Sequence, residues 1–184
     1  MDLVAQIIGI IAMVVAVSSY QVKSQKGIVS VLIISTSLWT LHYFMKGLYV
    51  GSLLNLMCAV RSVIYSKRST CKWAASVIWI YVFTALSLVI YALQFTLFGE
   101  EATLGNLALQ FLPLIGVFAT SIGFRAKTGF GVRASQLISG PVWFIYNLIG
   151  NSIGGVVTEI IATLSVIIGI IRHDIKDLKK KSEK

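Results

Sequence analysis

Long apolar runs, interrupted at regular intervals by short basic or glycine-containing breaks, dominate this chain. Residues 3–22, 27–45, 73–98 and 102–124 contain no Asp, Glu, Lys or Arg. A bilayer-spanning helix needs roughly 20 mostly apolar residues. The pattern predicts an all-α polytopic membrane protein with seven transmembrane helices, at about 3–22, 28–46, 48–66, 72–98, 107–124, 130–149 and 152–171. Two of the predicted hairpins are very tight, with Gly47 in one and Gly150-Asn151 in the other. Pro113 and Pro141 fall inside the fifth and sixth spans, where neighbouring helices can satisfy the carbonyls that a proline frees.

Composition agrees with this pattern. Hydrophobic residues make up 57% of the 184, and mean hydropathy is +0.85. Little remains for a soluble domain. The first apolar run has Asp2 where a secretory signal would carry a basic segment, and the expectation is a retained helix.

The formal net charge of +9 reads as a topology signal rather than a nucleic-acid footprint. Lys23, Lys26, Lys67, Arg68, Lys72, Arg125, Lys127, Arg133 and the tail from Arg172 fall on alternate loops; the others carry Asp2, Lys46, Glu100 and Glu101. The positive-inside rule then predicts an outside N-terminus and a cytoplasmic C-terminus. Seven spans satisfy both ends. The basic tail is expected to prolong the last helix briefly and then lie against anionic headgroups.

The chain also resembles itself. At a shift of 104 residues Lys23 meets Lys127, Gly27 meets Gly131, Ser35 meets Ser139, Trp39 meets Trp143 and Gly51 meets Gly155. Three spans per half with one between them make a 3+1+3 plan of parallel repeats, each a three-helix bundle. The predicted units are residues 1–68, a linker helix at 69–104, a second bundle at 105–172 and a basic cytoplasmic tail at 173–184.

Polar groups inside a membrane are costly and need reasons. The candidates are Asn55 and Arg61 on the third span, Asn147 on the sixth and Glu159 on the seventh. Asn55 and Glu159 are mates at the 104 shift, and Trp39 and Trp143 each precede one of them by sixteen residues. Around one pseudo-twofold axis these would present two indoles and two polar groups to a small polar solute. The competing reading makes the tryptophans interfacial anchors and the polar pair a clamp between helices. Arg61 either snorkels to the cytoplasmic surface or pairs with Glu159. His42 is the one histidine within a span that could titrate in the physiological range. Ser152, Gly154, Gly155, Gly51 and Ser52 offer small-residue faces for close helix packing.

Catalysis finds little support. No His/Cys/Asp/Glu cluster has metal-ligand spacing, no nucleophile has an obvious base, and no phosphate-binding loop precedes a strand. The seventh span has no central Lys for a retinal Schiff base. Cys58 and Cys71 show no disulfide logic. The expectation is no enzyme, no cofactor and no metal.

The segments Lys23-Ser24-Gln25-Lys26-Gly27 and Lys127-Thr128-Gly129-Phe130-Gly131 resemble the loop signature of the PQ-loop and SWEET superfamily of three-helix-bundle transporters. That resemblance implies a 1-3-2 helix order in each bundle, and pocket roles for Trp39, Asn55 and Trp143, with Glu159 in place of a second asparagine. Neither repeat has a Pro-Gln pair in its first helix. The run from Trp143 through Asn147, Ser152-Ile153-Gly154-Gly155 and Glu159 resembles the YgjV-type bacterial inner-membrane proteins more closely, over most of the chain. Two functions compete: a facilitator or proton-linked carrier of a small polar solute, and a non-transporting protein that binds another membrane component. The expected partners are the lipid bilayer and an unidentified solute, with no nucleic acid. A homo-oligomer is left open by the sequence.

Overall fold

A computed structural model describes residues 2–47, 49–149 and 153–175. It contains seven α-helices: α1 (Asp2–Ser19), α2 (Gln25–Met45), α3 (Tyr49–Ser66), α4 (Ile78–Thr96), α5 (Leu104–Arg125), α6 (Gly129–Ile149) and α7 (Ile153–Gly169). The described residues contain no strand. By length and composition α2, α4, α5 and the segment Gly154–Ile175 are long and apolar enough to cross a membrane, and Leu3–Ser19 is apolar but shorter. The other two helices, α3 and α6, carry several of the buried polar side chains, including Arg61, Arg133 and Asn147.

Local chemistry sets the helix ends. Ser24 caps α2 by accepting a hydrogen bond from the Gly27 N–H at 3.0 Å, and Thr103 caps α5 through Asn106. Gly47 ends α2 with φ of 71°, a left-handed conformation that glycine adopts without steric cost. Leu48 and the predicted Gly150-Asn151 turn, with Ser152, lie outside the described residues, as does the tail beyond Ile175.

Several boundaries differ from the expectation; α2 and α5 each start three residues early, at Gln25 and Leu104. The fourth span does not start at 72. A short 3-10 turn, Trp73–Ala75, comes first, and Ser76 is extended at ψ 142° before α4 begins. Trp79 holds that corner by donating its indole N–H to the Trp73 carbonyl at 3.0 Å. The first helix ends at Ser19, because the next five residues form the connection to Gln25. The last helix runs on to Ile175 by switching to π-helical geometry over Ile170–Ile175.

Packing follows the short connections. In one layer α2 lies between α1 and α3, and in the other α6 lies between α5 and α7. Across the layers α1 meets α7, α2 meets α6 and α3 meets α5, while α4 packs on α5 and α3. The 1-3-2 order implied by the superfamily resemblance is therefore corrected to 1-2-3. Links as short as the Gly47 hairpin make consecutive helices antiparallel neighbours. Close crossings depend on small residues. A Cβ on Gly123 would lie 2.6 Å from the Gly131 carbonyl oxygen and on top of Ser135. The outer surface is apolar: Ile10, Ile34, Leu56, Val89, Phe118, Ile138 and Leu164 are all exposed. The interior between the layers holds the polar groups, an arrangement suited to a hydrocarbon surround.

Candidate functional site

A cavity of about 170 Å³ lies between the two layers. Every helix of both layers contributes. Trp39, Asn55, Trp143, Asn147, Glu159 and Arg61 all line it. The sequence had singled out these six residues on four different helices, and the fold brings them to one space.

Each is held by its own neighbours. Trp39 stacks on Tyr43 with ring centroids 5.6 Å apart, and Trp143 meets Tyr146 edge-on at the same distance. The Trp143 indole lies so close to α5 that a Cβ on Gly116 would be 2.8 Å from its Nε1. Tyr146 is steadied in turn by Gln110, 3.2 Å away. Both tryptophans are partly buried in mid-helix against protein, which is not the setting of an interfacial anchor. Asn55 donates its amide N–H to the Gly51 carbonyl one turn back, at 2.9 Å, which leaves its carbonyl oxygen for the cavity. Asn147 packs directly on Gly155, and Tyr43 packs on Gly51 with 3.3 Å between its ring and the place a Cβ would take. The small-residue faces thus seat cavity side chains as well as helices. Gly154 has no neighbour there, and Ser52 ties α3 to α2 through the Thr40 carbonyl.

Arg61 does not snorkel. It is 4% exposed and donates from Nη1 to the Val117 carbonyl at 2.9 Å and to Ser121 Oγ at 3.0 Å, with its guanidinium over the Phe124 ring. Nor does it pair with Glu159, because no carboxylate lies within ion-pair distance of Arg61 among the described residues. Among the described residues the Glu159 carboxyl takes a single long hydrogen bond, from Gln136 at 3.4 Å. His42 stays outside the cavity. It is buried, its Nδ1 bonds the Ala5 carbonyl at 2.7 Å, and its ring meets Trp39 edge-on. It braces α1 against α2 behind the indole.

Residues that sequence reasoning passed over complete the site. Gln136, Ser35, Ser139, Thr120 and Thr158 add polar lining, and Tyr20 and Phe124 form one end of the cavity. The 104 shift had already paired Ser35 with Ser139, without a site role; applied to Tyr20 it was the signal that could have found Phe124.

Behind that end sits a polar clamp. Arg133 was read as a loop charge, but it lies inside α6 and is fully buried. Its Nη1 donates to both Asp174 carboxylate oxygens, at 3.1 and 2.8 Å. Its Nε donates to the Tyr20 carbonyl at 2.9 Å and its Nη2 to the Val22 carbonyl. His173 reaches the Gln21 carbonyl at 2.7 Å, and Gln21 donates to the Ser165 carbonyl and hydroxyl. From the other half, Gln25 donates to the Phe124 carbonyl at 2.6 Å. The π-helical turn after α7 carries both His173 and Asp174, the two residues that reach these partners.

No group of three or more His, Cys, Asp or Glu side chains could hold a metal among the described residues. Cys58 lines the cavity and Cys71 lies on the α3–α4 connection; both are free thiols.

No curated protein and no solved structure matches the chain. One family model does, over residues 3–177, nearly the whole length. The helical architecture, the apolar surface and that match agree that this chain belongs to the Imp-YgjV family of bacterial inner membrane proteins.

Proposed function

We propose that this protein is a seven-span membrane carrier for a small polar solute, built as 3+1+3 parallel repeats, with its binding site in the cavity between the two bundles. The observation that carries the reading is the cavity itself: Trp39, Asn55, Trp143, Asn147 and Glu159 share it with Arg61.

Two further features support a pseudo-twofold carrier. Exchanging the halves, so that α1, α2 and α3 become α5, α6 and α7, leaves the cross-layer contacts unchanged. The lining residues also fall largely in pairs 104 positions apart, among them Tyr20 with Phe124, Ser35 with Ser139, Trp39 with Trp143 and Asn55 with Glu159. This is the arrangement expected of repeats related by an axis along the membrane normal, with the solute at their interface. The PQ-loop and SWEET resemblance points the same way in plan, though not in helix order. A cavity below the roughly 300 Å³ at which drug-sized sites begin suits a solute of few heavy atoms. Alternate-loop charge supports an outside N-terminus and a cytoplasmic C-terminus. The Tyr20–Phe124 end then faces the cytoplasm, and the clamp behind it is a closed inner gate.

Solute counterflow in proteoliposomes tests the reading. Purified protein is reconstituted and loaded with each of a panel of small polar metabolites, and uptake of the labelled solute is followed. Exchange of at least one solute is expected, abolished by Trp143→Ala. Equal rates in protein-free liposomes across the panel would leave the scaffold reading in its place.

A further inference from the structure

A guanidinium and a carboxyl group line one small cavity without forming an ion pair. Arg61 comes from α3 and Glu159 from α7, and both line the cavity. The two side chains make no ion pair, and no other charged side chain lies within ion-pair distance of either among the described residues. Arg61 is solvated by the Val117 carbonyl, Ser121 Oγ and the Phe124 ring, which stabilise a guanidinium but carry no countercharge. Among the described residues Glu159 takes one hydrogen bond, the long one from Gln136. An uncompensated buried charge is costly, and side chains inside a membrane normally pair with one another. Had pairing been the purpose, Asp or Glu one turn from Arg61 on α5 would supply it; Thr120 and Ser121 stand there instead.

We infer that the solute itself supplies both countercharges: the cavity takes a small zwitterion whose carboxylate meets the Arg61 guanidinium and whose ammonium meets the Glu159 carboxylate. The inference rests on the carrier reading of this same cavity. Guanidinium matches a carboxylate through paired N–H donors. The indole faces of Trp39 and Trp143 also favour a cation against them. Asn55 contributes its free carbonyl oxygen as an acceptor for ammonium N–H groups. Arg61 follows Asn55 by six residues on one helix, about 9 Å along the axis. The anionic end of the solute therefore lies nearer the Tyr20–Phe124 end, and the cationic end nearer Glu159. A zwitterion with separated charges fits that spacing better than one with adjacent charges.

The test uses matched four-carbon probes. Binding of 4-aminobutanoate, butanoate, butylamine and 1,4-butanediol to the purified full-length protein is measured by calorimetry, with glycine as the short zwitterion. The expected order places 4-aminobutanoate first, about tenfold or more tighter than every singly charged or neutral analogue. Glu159→Gln keeps the side-chain size and removes the charge. It is expected to weaken 4-aminobutanoate to the level of butanoate while butanoate affinity holds or rises. Arg61→Gln should bring 4-aminobutanoate down to the level of butylamine. Should that variant fail to fold, Arg61→Lys preserves the charge and keeps the zwitterion preference. Butanediol or butanoate binding as tightly as 4-aminobutanoate would overturn the zwitterion assignment while leaving a carrier in place. Equal loss for all probes in Glu159→Gln, or no binding of either zwitterion, overturns it as well. Counterflow of other solutes would then show separately whether the carrier reading survives.

Discussion

Breaking the Arg133–Asp174 pair should cost this protein a large part of its stability. Arg133 is fully buried and spends three nitrogens on four acceptors, two of them the Asp174 oxygens. Removing one member of a buried ion pair typically costs about 3–5 kcal/mol, because the survivor is left charged and unmatched. The Asp174 side chain is 16% exposed, so water can partly replace it. Asp174→Asn should therefore fall just below that range, at about 2–3 kcal/mol. Arg133→Met also strips the Tyr20 and Val22 carbonyls of their donor and should cost at least as much. The double variant should not cost the sum, since each single change already removes the shared interaction; a coupling of about 1–3 kcal/mol is expected. Reversible unfolding of the four proteins in mixed micelles, followed by circular dichroism, gives the cycle. A cost below about 0.5 kcal/mol for Asp174→Asn, or strict additivity, would refute the view that this pair holds α6, the α1–α2 connection and the π-helical turn together.

Three further outcomes follow from other contacts. Gly123→Ala forces a methyl into the Gly131 backbone and Ser135, and should destabilise by about 1–3 kcal/mol; Gly154→Ala, with open space around it, should be neutral or slightly stabilising, and melting temperatures of the two variants compare them directly. Reporter fusions after residue 184 and at Glu100 should mark opposite sides of the membrane, and the same side for both would remove the seven-span topology. Cys58, on the cavity wall, should react with a small water-soluble thiol reagent in the Cys71→Ser variant, and silence there would argue that the cavity is dry.

The parts of this molecule that the sequence made legible are those where one local property decides. Spans are set by runs of apolar residues, because the bilayer requires about 20 of them whatever the tertiary fold. Trp39, Asn55, Trp143, Asn147 and Glu159 stood out because rare polar or indole groups in a span are costly unless they face a shared interior. What stayed hidden depended on contacts between distant segments. Arg133 looked like any other cytoplasmic positive charge, since nothing within its own helix turn announces Asp174, 41 residues on. The layer order was misread because a family resemblance carries helix order as a whole. The physical determinant, connection length, was already visible at Gly47 and favoured consecutive neighbours. The break before α4 depends on a tryptophan reaching back six residues to a carbonyl, which no hydropathy window registers.

The same contrast explains how the cavity and the clamp relate. The cavity is lined by paired positions of the two halves, so a repeat can build it from one ancestral pattern. The clamp is asymmetric in chemistry, though two of its carbonyl acceptors are 104 positions apart. Gln25 ties α2 to the Phe124 carbonyl, and Arg133 ties α6 to the carbonyl of Tyr20, the residue 104 positions earlier. One crossing uses a neutral amide and the other a charged network that includes the end of α7. If the clamp is the inner gate proposed above, it opens first at the weaker latch. If the cavity exchanges with the cytoplasm, the α2 side therefore moves while α6 and the π-helical turn stay fixed. Gln25→Ala should then raise counterflow by lowering the opening cost, whereas Asp174→Asn should chiefly lower stability. The reverse pattern would place the moving element on α6.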